Sequence, residues 1–157
     1  MLNKNISAIL AIDKNLGLGY KDTLLFKIKE DLQFFKQQTL QSDCCIIGRK
    51  TFDSLPTSGL PGRNLLILTT NKSIPNSISN PLDIYLTPYN NIFIIGGNTV
   101  YLQYKEIIKT WYITYIKKSA EQVDVFFDKD LLDFIKSNSQ SYVLYENEEI
   151  KIIKYCL

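Results

Sequence analysis

Four short apolar runs constrain the fold most: residues 6–12 (Ile-Ser-Ala-Ile-Leu-Ala-Ile), 44–47 (Cys-Cys-Ile-Ile), 65–68 (Leu-Leu-Ile-Leu) and 92–95 (Ile-Phe-Ile-Ile). They are nearly continuous rather than alternating, which suits strands covered on both faces, the pattern of a parallel sheet. Each is followed by a glycine or a polar loop: the Gly-bearing stretch 13–22, Gly48, Thr69-Thr70 and Gly96-Gly97. Between them, Lys29–Leu40 carries Leu32, Phe35 and Thr39 near helical spacing and reads as an amphipathic helix with Asp31 in its first turn. A second helix is expected over 99–108, after the glycine pair. Residues 82–86 and Thr110–Ile116 read as strands, and the runs 142–145 and 150–155, separated by Glu-Asn-Glu-Glu, as a closing hairpin. Strands interleaved with helices predict an α/β fold with a central, mostly parallel mixed sheet, helices on its flanks and an antiparallel hairpin at the C-terminal edge. At 157 residues, one domain spanning 1–157 is expected.

Composition removes several kinds of chemistry. The chain has no histidine, so Ser-His-Asp and Cys-His mechanisms and His-built zinc sites are excluded. Proton chemistry falls to carboxylates, Tyr, Lys, Cys or water, and no metal site is expected. A net charge of +2 without a basic block gives no electrostatic reason to expect nucleic acid. Three cysteines, the adjacent Cys44-Cys45 and Cys156, make neither a disulfide framework nor a zinc knuckle, and a reducing cytoplasm is the simplest location. In their apolar strand Cys44 and Cys45 read as small hydrophobes without chemistry. No run is long enough to cross a bilayer, and the apolar N-terminal stretch reads as a strand rather than a leader.

Several residues invite a ligand, each against a plainer reading. The turn Gly96-Gly97-Asn98-Thr99 between a strand and a helix could let a diphosphate approach backbone amides, or could serve only close helix–sheet packing. Gly48-Arg49-Lys50-Thr51 and Thr69-Thr70 could gather two cations and three hydroxyls around a phosphate, or form a solvated basic turn. Asp31 complements the helix dipole, yet it also borders the apolar face, where a carboxylate is costly unless donors reach it. Its two oxygens suit parallel N–H bonds from an amidine-like ring edge. Arg63, after Pro61-Gly62, is either a solvated turn residue or a fork for a carboxylate. Tyr101, Trp111 and Thr114 read as core residues.

In order and spacing, these pieces resemble the dihydrofolate reductases. The resemblance rests on Ala11-Ile12-Asp13-Lys14-Asn15-Leu16-Gly17-Leu18-Gly19, Leu24-Leu25-Phe26-Lys27-Ile28-Lys29-Glu30-Asp31-Leu32 with Phe35-Lys36 and Thr39, and Ile47-Gly48-Arg49-Lys50-Thr51-Phe52-Asp53-Ser54-Leu55. It continues through Leu60-Pro61-Gly62-Arg63-Asn64, Thr69-Thr70, Ile94-Ile95-Gly96-Gly97 with Val100-Tyr101, Tyr112-Ile113-Thr114 and Asp124-Val125-Phe126-Phe127, so it covers essentially the whole chain.

The resemblance implies NADPH-dependent reduction of 7,8-dihydrofolate to tetrahydrofolate, by hydride transfer to pterin C6 with protonation at N5, in the service of one-carbon metabolism. It implies that Asp31 anchors the pterin with Thr114 behind it and Phe26 as an aromatic wall. Ile9, Ala11, Leu32, Phe35, Leu55, Ile95 and Tyr101 would line the substrate slot, and Arg63 would take the glutamate α-carboxylate. Ala11 with Gly17, Leu18 and Gly19 of the loop 17–23 would cover the nicotinamide. Gly96, Gly97, Asn98, Thr99, Val100, Tyr101 and Gln103 would hold the diphosphate region, and Arg49, Lys50, Thr51, Thr69 and Thr70 the adenosine 2′-phosphate. A monomer that also binds antifolates is expected. Leu25-Phe26 stands where the family usually has Pro-Trp, Lys29 where it has proline and Thr99 where arginine is frequent; residues 71–91 look too short for its usual extra helix. Two other readings are a folate- or NADPH-binding module without turnover, and the related pyrimidine reductase of riboflavin synthesis, which the Asp31 and Arg63 motifs disfavour.

Overall fold

The computed structural model describes residues 3–57 and 59–157. In chain order its elements are β1 (Asn5–Ile12), β2 (Gly17–Tyr20), β3 (Thr23–Leu24), α1 (Lys29–Leu40), β4 (Cys44–Gly48), α2 (Arg49–Asp53), β5 (Leu65–Leu68) and β6 (Ser77–Ile78). A 3-10 turn (Pro81–Leu86) follows, then β7 (Asn91–Gly96), α3 (Asn98–Tyr104), β8 (Thr110–Ile116), β9 (Val125–Phe126), α4 (Lys129–Asn138), β10 (Gln140–Glu146) and β11 (Ile150–Cys156).

Among the described residues, eight strands form one sheet in the order β10-β11-β8-β1-β7-β4-β5-β6. All pairings are parallel except those of β11 with β8 and of β10 with β11. The unbroken apolar strands occupy the middle, as expected for strands shielded on both faces: every residue of β4 is buried. At the edge, every residue of β10 is exposed. The larger core, on one face, centres on Trp111, Tyr101, Phe127 and Tyr104 with the apolar side of α4. On the other face α1 covers two smaller clusters, one around Ile9, Cys45 and Phe93 and one around Ile28, Ile116, Ile150 and Ile152. A second, three-stranded sheet, β3-β2-β9, sits apart from the large one.

Five local features differ from these expectations. Residues 82–86 form the 3-10 turn instead of a strand, because Asn80 accepts from the Leu82 amide while Asp83 accepts from the Asn80 amide, a reciprocal cap. The stretch 13–22 is partly β2, its pairing partners supplied from residues 23–24 and 125–126. The helix after the glycine pair ends at Tyr104. Helix α4 was not anticipated, although Leu131, Leu132 and Ile135 lie at helical spacing and Asp128 caps it through the Asp130 amide. Within α1 the inner face is shifted: Phe34 packs into both small clusters, whereas Leu32 is 40% exposed.

Candidate active site

The central strands part to open a cleft. Strand β1 pairs with β8 as far as Ile12↔Tyr115, but with β7 only to Ala8↔Ile94. Beyond that point the Ile9 carbonyl is met by the Tyr101 hydroxyl at 2.7 Å, reaching across from α3. Tyr101 is buried, so this bond satisfies a carbonyl that lost its sheet partner. Ligands of open α/β sheets bind at such a place, past the carboxyl ends of diverging parallel strands.

Asp31 overhangs one side of the cleft from the first turn of α1, where its charge complements the helix dipole. Ala11 and buried Thr114 are register partners across β1 and β8 beneath it. Burial raises the Asp31 carboxyl above its ordinary range, and the Thr114 hydroxyl partly opposes the rise. A half-buried acceptor with no basic side chain paired to it among the described residues is poised for donors from a ligand. Phe35 and Leu55 are half-buried, and Leu32 stands exposed on the same helix turn as Phe35.

Arg63 is held rather than loose. Its Nε donates to the Pro61 carbonyl at 3.1 Å and a terminal nitrogen donates to Thr39 Oγ1 at 3.2 Å, while Thr39 is buried and itself donates to the Phe35 carbonyl. The fork is thereby fixed against the inner side of α1, about two helical turns from Asp31. Thr39 gained no separate role from sequence, because its hydroxyl matters only through a residue 24 positions away.

At the opposite end, α2 and α3 start side by side. A Cβ on Gly97 would come 3.1 Å from Thr51 Oγ1, and one on Gly48 would come 2.9 Å from Val100 Cγ2. Gly96 has φ +124, a conformation L side chains avoid, and the Gly96–Gly97 peptide is cis. The amides of Gly97, Asn98 and Thr99 find no acceptor within the described protein, and the buried Asn98 Oδ1 is likewise without a partner. Free amides, close-approaching glycines and an orphaned buried acceptor suit a diphosphate and its flanking hydroxyls. Register Gly48↔Leu68 sets Thr69 and Thr70 beside Arg49. Arg49 Nε is bound to Asp53 at 2.9 Å, leaving its terminal nitrogens without partners among the described residues, and Lys50 is exposed.

The residue that sequence reasoning undervalued is Asp13. It is 2% exposed and accepts from the amides of Asn15 (2.8 Å), Gly17 (2.8 Å) and Ala120 (2.9 Å). Burial alone would raise its carboxyl, but the three amide bonds outweigh it and hold the group below its ordinary range. Asp13 thus ties the end of β1 to β2 and to the segment after β8. Gly17 is needed here, since a Cβ would meet Leu25, Asp13 and Val123 at 2.9–3.0 Å. Leu18, expected over the nicotinamide, packs against the large core. Two cavities of about 340 and 380 Å³ lie elsewhere, one below the C-terminal half of α1 and one behind Arg63.

Comparison with known proteins agrees with the fold. The sequence profile of dihydrofolate reductase matches residues 5–155. The chain belongs to the dihydrofolate reductase family. A dihydrofolate reductase from Buchnera aphidicola subsp. Baizongia pistaciae is 32% identical, covering 90% of this chain and 96% of that protein. The bifunctional dihydrofolate reductase-thymidylate synthase of Paramecium tetraurelia is 31% identical over 92% of this chain, which spans 33% of that longer protein. A solved dihydrofolate reductase from Enterococcus faecalis, complexed with NADP(H) and RAB-propyl, shares the fold at TM-score 0.81 and 22% identity, covering 99% of this chain and 97% of its own. Within this dihydrofolate reductase fold, the cleft between β1 and β7 brings Asp31, Thr114 and Ala11 to one end and the α2/α3 starts to the other.

Proposed function

We propose that this chain catalyses the NADPH-dependent reduction of 7,8-dihydrofolate to 5,6,7,8-tetrahydrofolate. The observation that carries the reading is Asp31: a half-buried carboxylate at the cleft, its affinity for protons raised by burial and moderated by Thr114. Its two oxygens would accept the pterin N3–H and 2-amino group as a parallel pair, fixing which ring face is presented. NADPH, when bound, supplies the hydride that goes to pterin C6. The negative charge at the pteridine edge favours protonation at N5, with the proton drawn from water. Phe26, Ile9, Ala11, Leu32, Phe35, Leu55 and Ile95 would form the apolar walls, and Arg63 would pair with the glutamate α-carboxylate.

Gly96, Gly97, Asn98 and Thr99, with Val100, Tyr101 and Gln103 behind them, would hold the diphosphate region. The Arg49 terminal nitrogens, unpaired among the described residues, with Lys50, Thr51, Thr69 and Thr70 would bind the 2′-phosphate, which favours NADPH over NADH. No helix among the described residues is long and apolar enough to cross a membrane. A monomer in a reducing cytoplasm fits three free cysteines, two of them buried.

The test is spectrophotometric. Purified protein should oxidise NADPH only when dihydrofolate is present, methotrexate should abolish the reaction, and Asp31→Asn should lower kcat by orders of magnitude. Tight binding of both ligands without turnover would replace this reading with that of a binding module.

A further inference from the structure

The segment that carries Phe26 is unusual in how it is held. Leu25, Phe26 and Lys27 lie between β3 and α1, and none of them makes a hydrogen bond through its backbone among the described residues. Their position therefore depends on side chains. The Phe26 ring packs on the cluster of Ile28, Ile116, Ile150 and Ile152. Over the same ring lies the Lys118 ammonium, 5.8 Å from the ring centroid.

Lys118 is itself a junction of three segments. Its carbonyl accepts from the Lys14 amide at 3.1 Å, next to the Asp13 anchor. Its ammonium pairs with Glu149 at 3.2 Å in the turn between β10 and β11, both groups about half exposed. Such an exposed ion pair adds little stability by itself, but it restricts where a long, flexible side chain points. Here it keeps the cation over an aromatic face, where the ring quadrupole attracts it.

We infer that Lys118, tethered by Glu149, is a positioning residue that fixes the Phe26 ring at the wall of the folate slot. This rests on the reading of Phe26 as a substrate-side wall. A segment without backbone bonds would otherwise sample several ring orientations, and substrate would have to select one of them. The strap lowers that selection penalty, so its effect falls on KM for dihydrofolate more than on kcat.

The experiment combines ring NMR with a double-mutant cycle. Phe26 is observed in protein carrying ¹³C-labelled phenylalanine, in wild type, Lys118→Met and Lys118→Arg, with Phe26→Leu used to assign its signal. Lys118→Met should shift and broaden the Phe26 ring resonances, and Lys118→Arg, which keeps the positive charge and can stack its planar guanidinium on an aromatic face, should restore them. In steady-state kinetics Lys118→Met should raise KM for dihydrofolate about two- to five-fold, the range of an exposed cation–π contact, with kcat nearly unchanged. In the Phe26→Leu background the same substitution should have no further effect. Unchanged ring resonances in Lys118→Met, or an undiminished KM effect without the ring, would overturn the inference. The ring NMR needs no turnover, so failure of the reductase reading would be seen separately, in the wild-type assay.

Discussion

Replacing Asp13 by asparagine isolates the anchor that joins the end of β1 to β2 and to the segment after β8. The side chain keeps its size, but a carboxylate that only accepts becomes an amide with one acceptor and one donor. The amide oxygen can stay at the Oδ1 position and keep the Asn15 and Gly17 amides, both 2.8 Å away. Its NH₂ then faces the Ala120 N–H, where Oδ2 accepted at 2.9 Å, and two donors oppose one another. Losing one bond to a charged acceptor and orphaning a partly buried donor together cost about 2–4 kcal/mol. For a chain of this length that lowers the melting temperature by roughly 5–15 °C. The pH dependence has a definite sign. The folded-state value lies below the unfolded 3.8, so the stabilisation is complete above that value and is lost only as pH falls through the folded pKa. Denaturant melts of wild type and Asp13→Asn should therefore run a constant gap from pH 8 to about pH 5 and converge in stronger acid. A gap below about 0.5 kcal/mol at pH 7 would refute the three-bond account, as would convergence already near pH 6.

Other substitutions probe the cleft. Asp31→Asn should stabilise the protein at pH 7 while removing activity: burial raises the folded-state value, so the wild type holds an ionised carboxylate at a cost that disappears in acid, and melts at pH 7 and pH 3 will show whether the gain is confined to the higher pH. Tyr101→Phe keeps the packing but leaves the Ile9 carbonyl unpaired, with an expected loss of about 1–3 kcal/mol by urea unfolding; a neutral result would mean that water replaces the hydroxyl. Gly97→Ala places a methyl 3.1 Å from Thr51 Oγ1 at an ordinary φ of −79°, so it should weaken NADPH at least about tenfold by fluorescence titration with little change in melting temperature.

Much of this architecture was legible in the chain. The apolar runs of β1, β4, β5 and β7 announce buried parallel strands because burial on both faces removes the alternation a one-sided strand would show. Lys29–Leu40 is the helix its spacing predicts, and the late hairpin follows from two β-prone runs around a polar turn. The 3-10 turn was missed because a cap bond between Asn80 and Asp83 outweighed the strand propensity of the residues it precedes. The inner face of α1 was shifted because Phe34 and Leu32 are equally apolar, and only contact with the sheet separates them.

By itself, then, the sequence determined the fold class, the absence of histidine chemistry, and the carboxylate, arginine and glycine pair from which a site could be built. Those properties follow from composition and local period, which one chain carries in full. Tertiary structure alone decided that β1 and β7 diverge after Ala8↔Ile94, that Tyr101 crosses the gap, that Thr39 aims Arg63, and that Asp13 and Lys118 gather loops up to 107 residues apart. Each of these is a relation between groups remote in sequence, and it exists only once the sheet has brought the strand ends together.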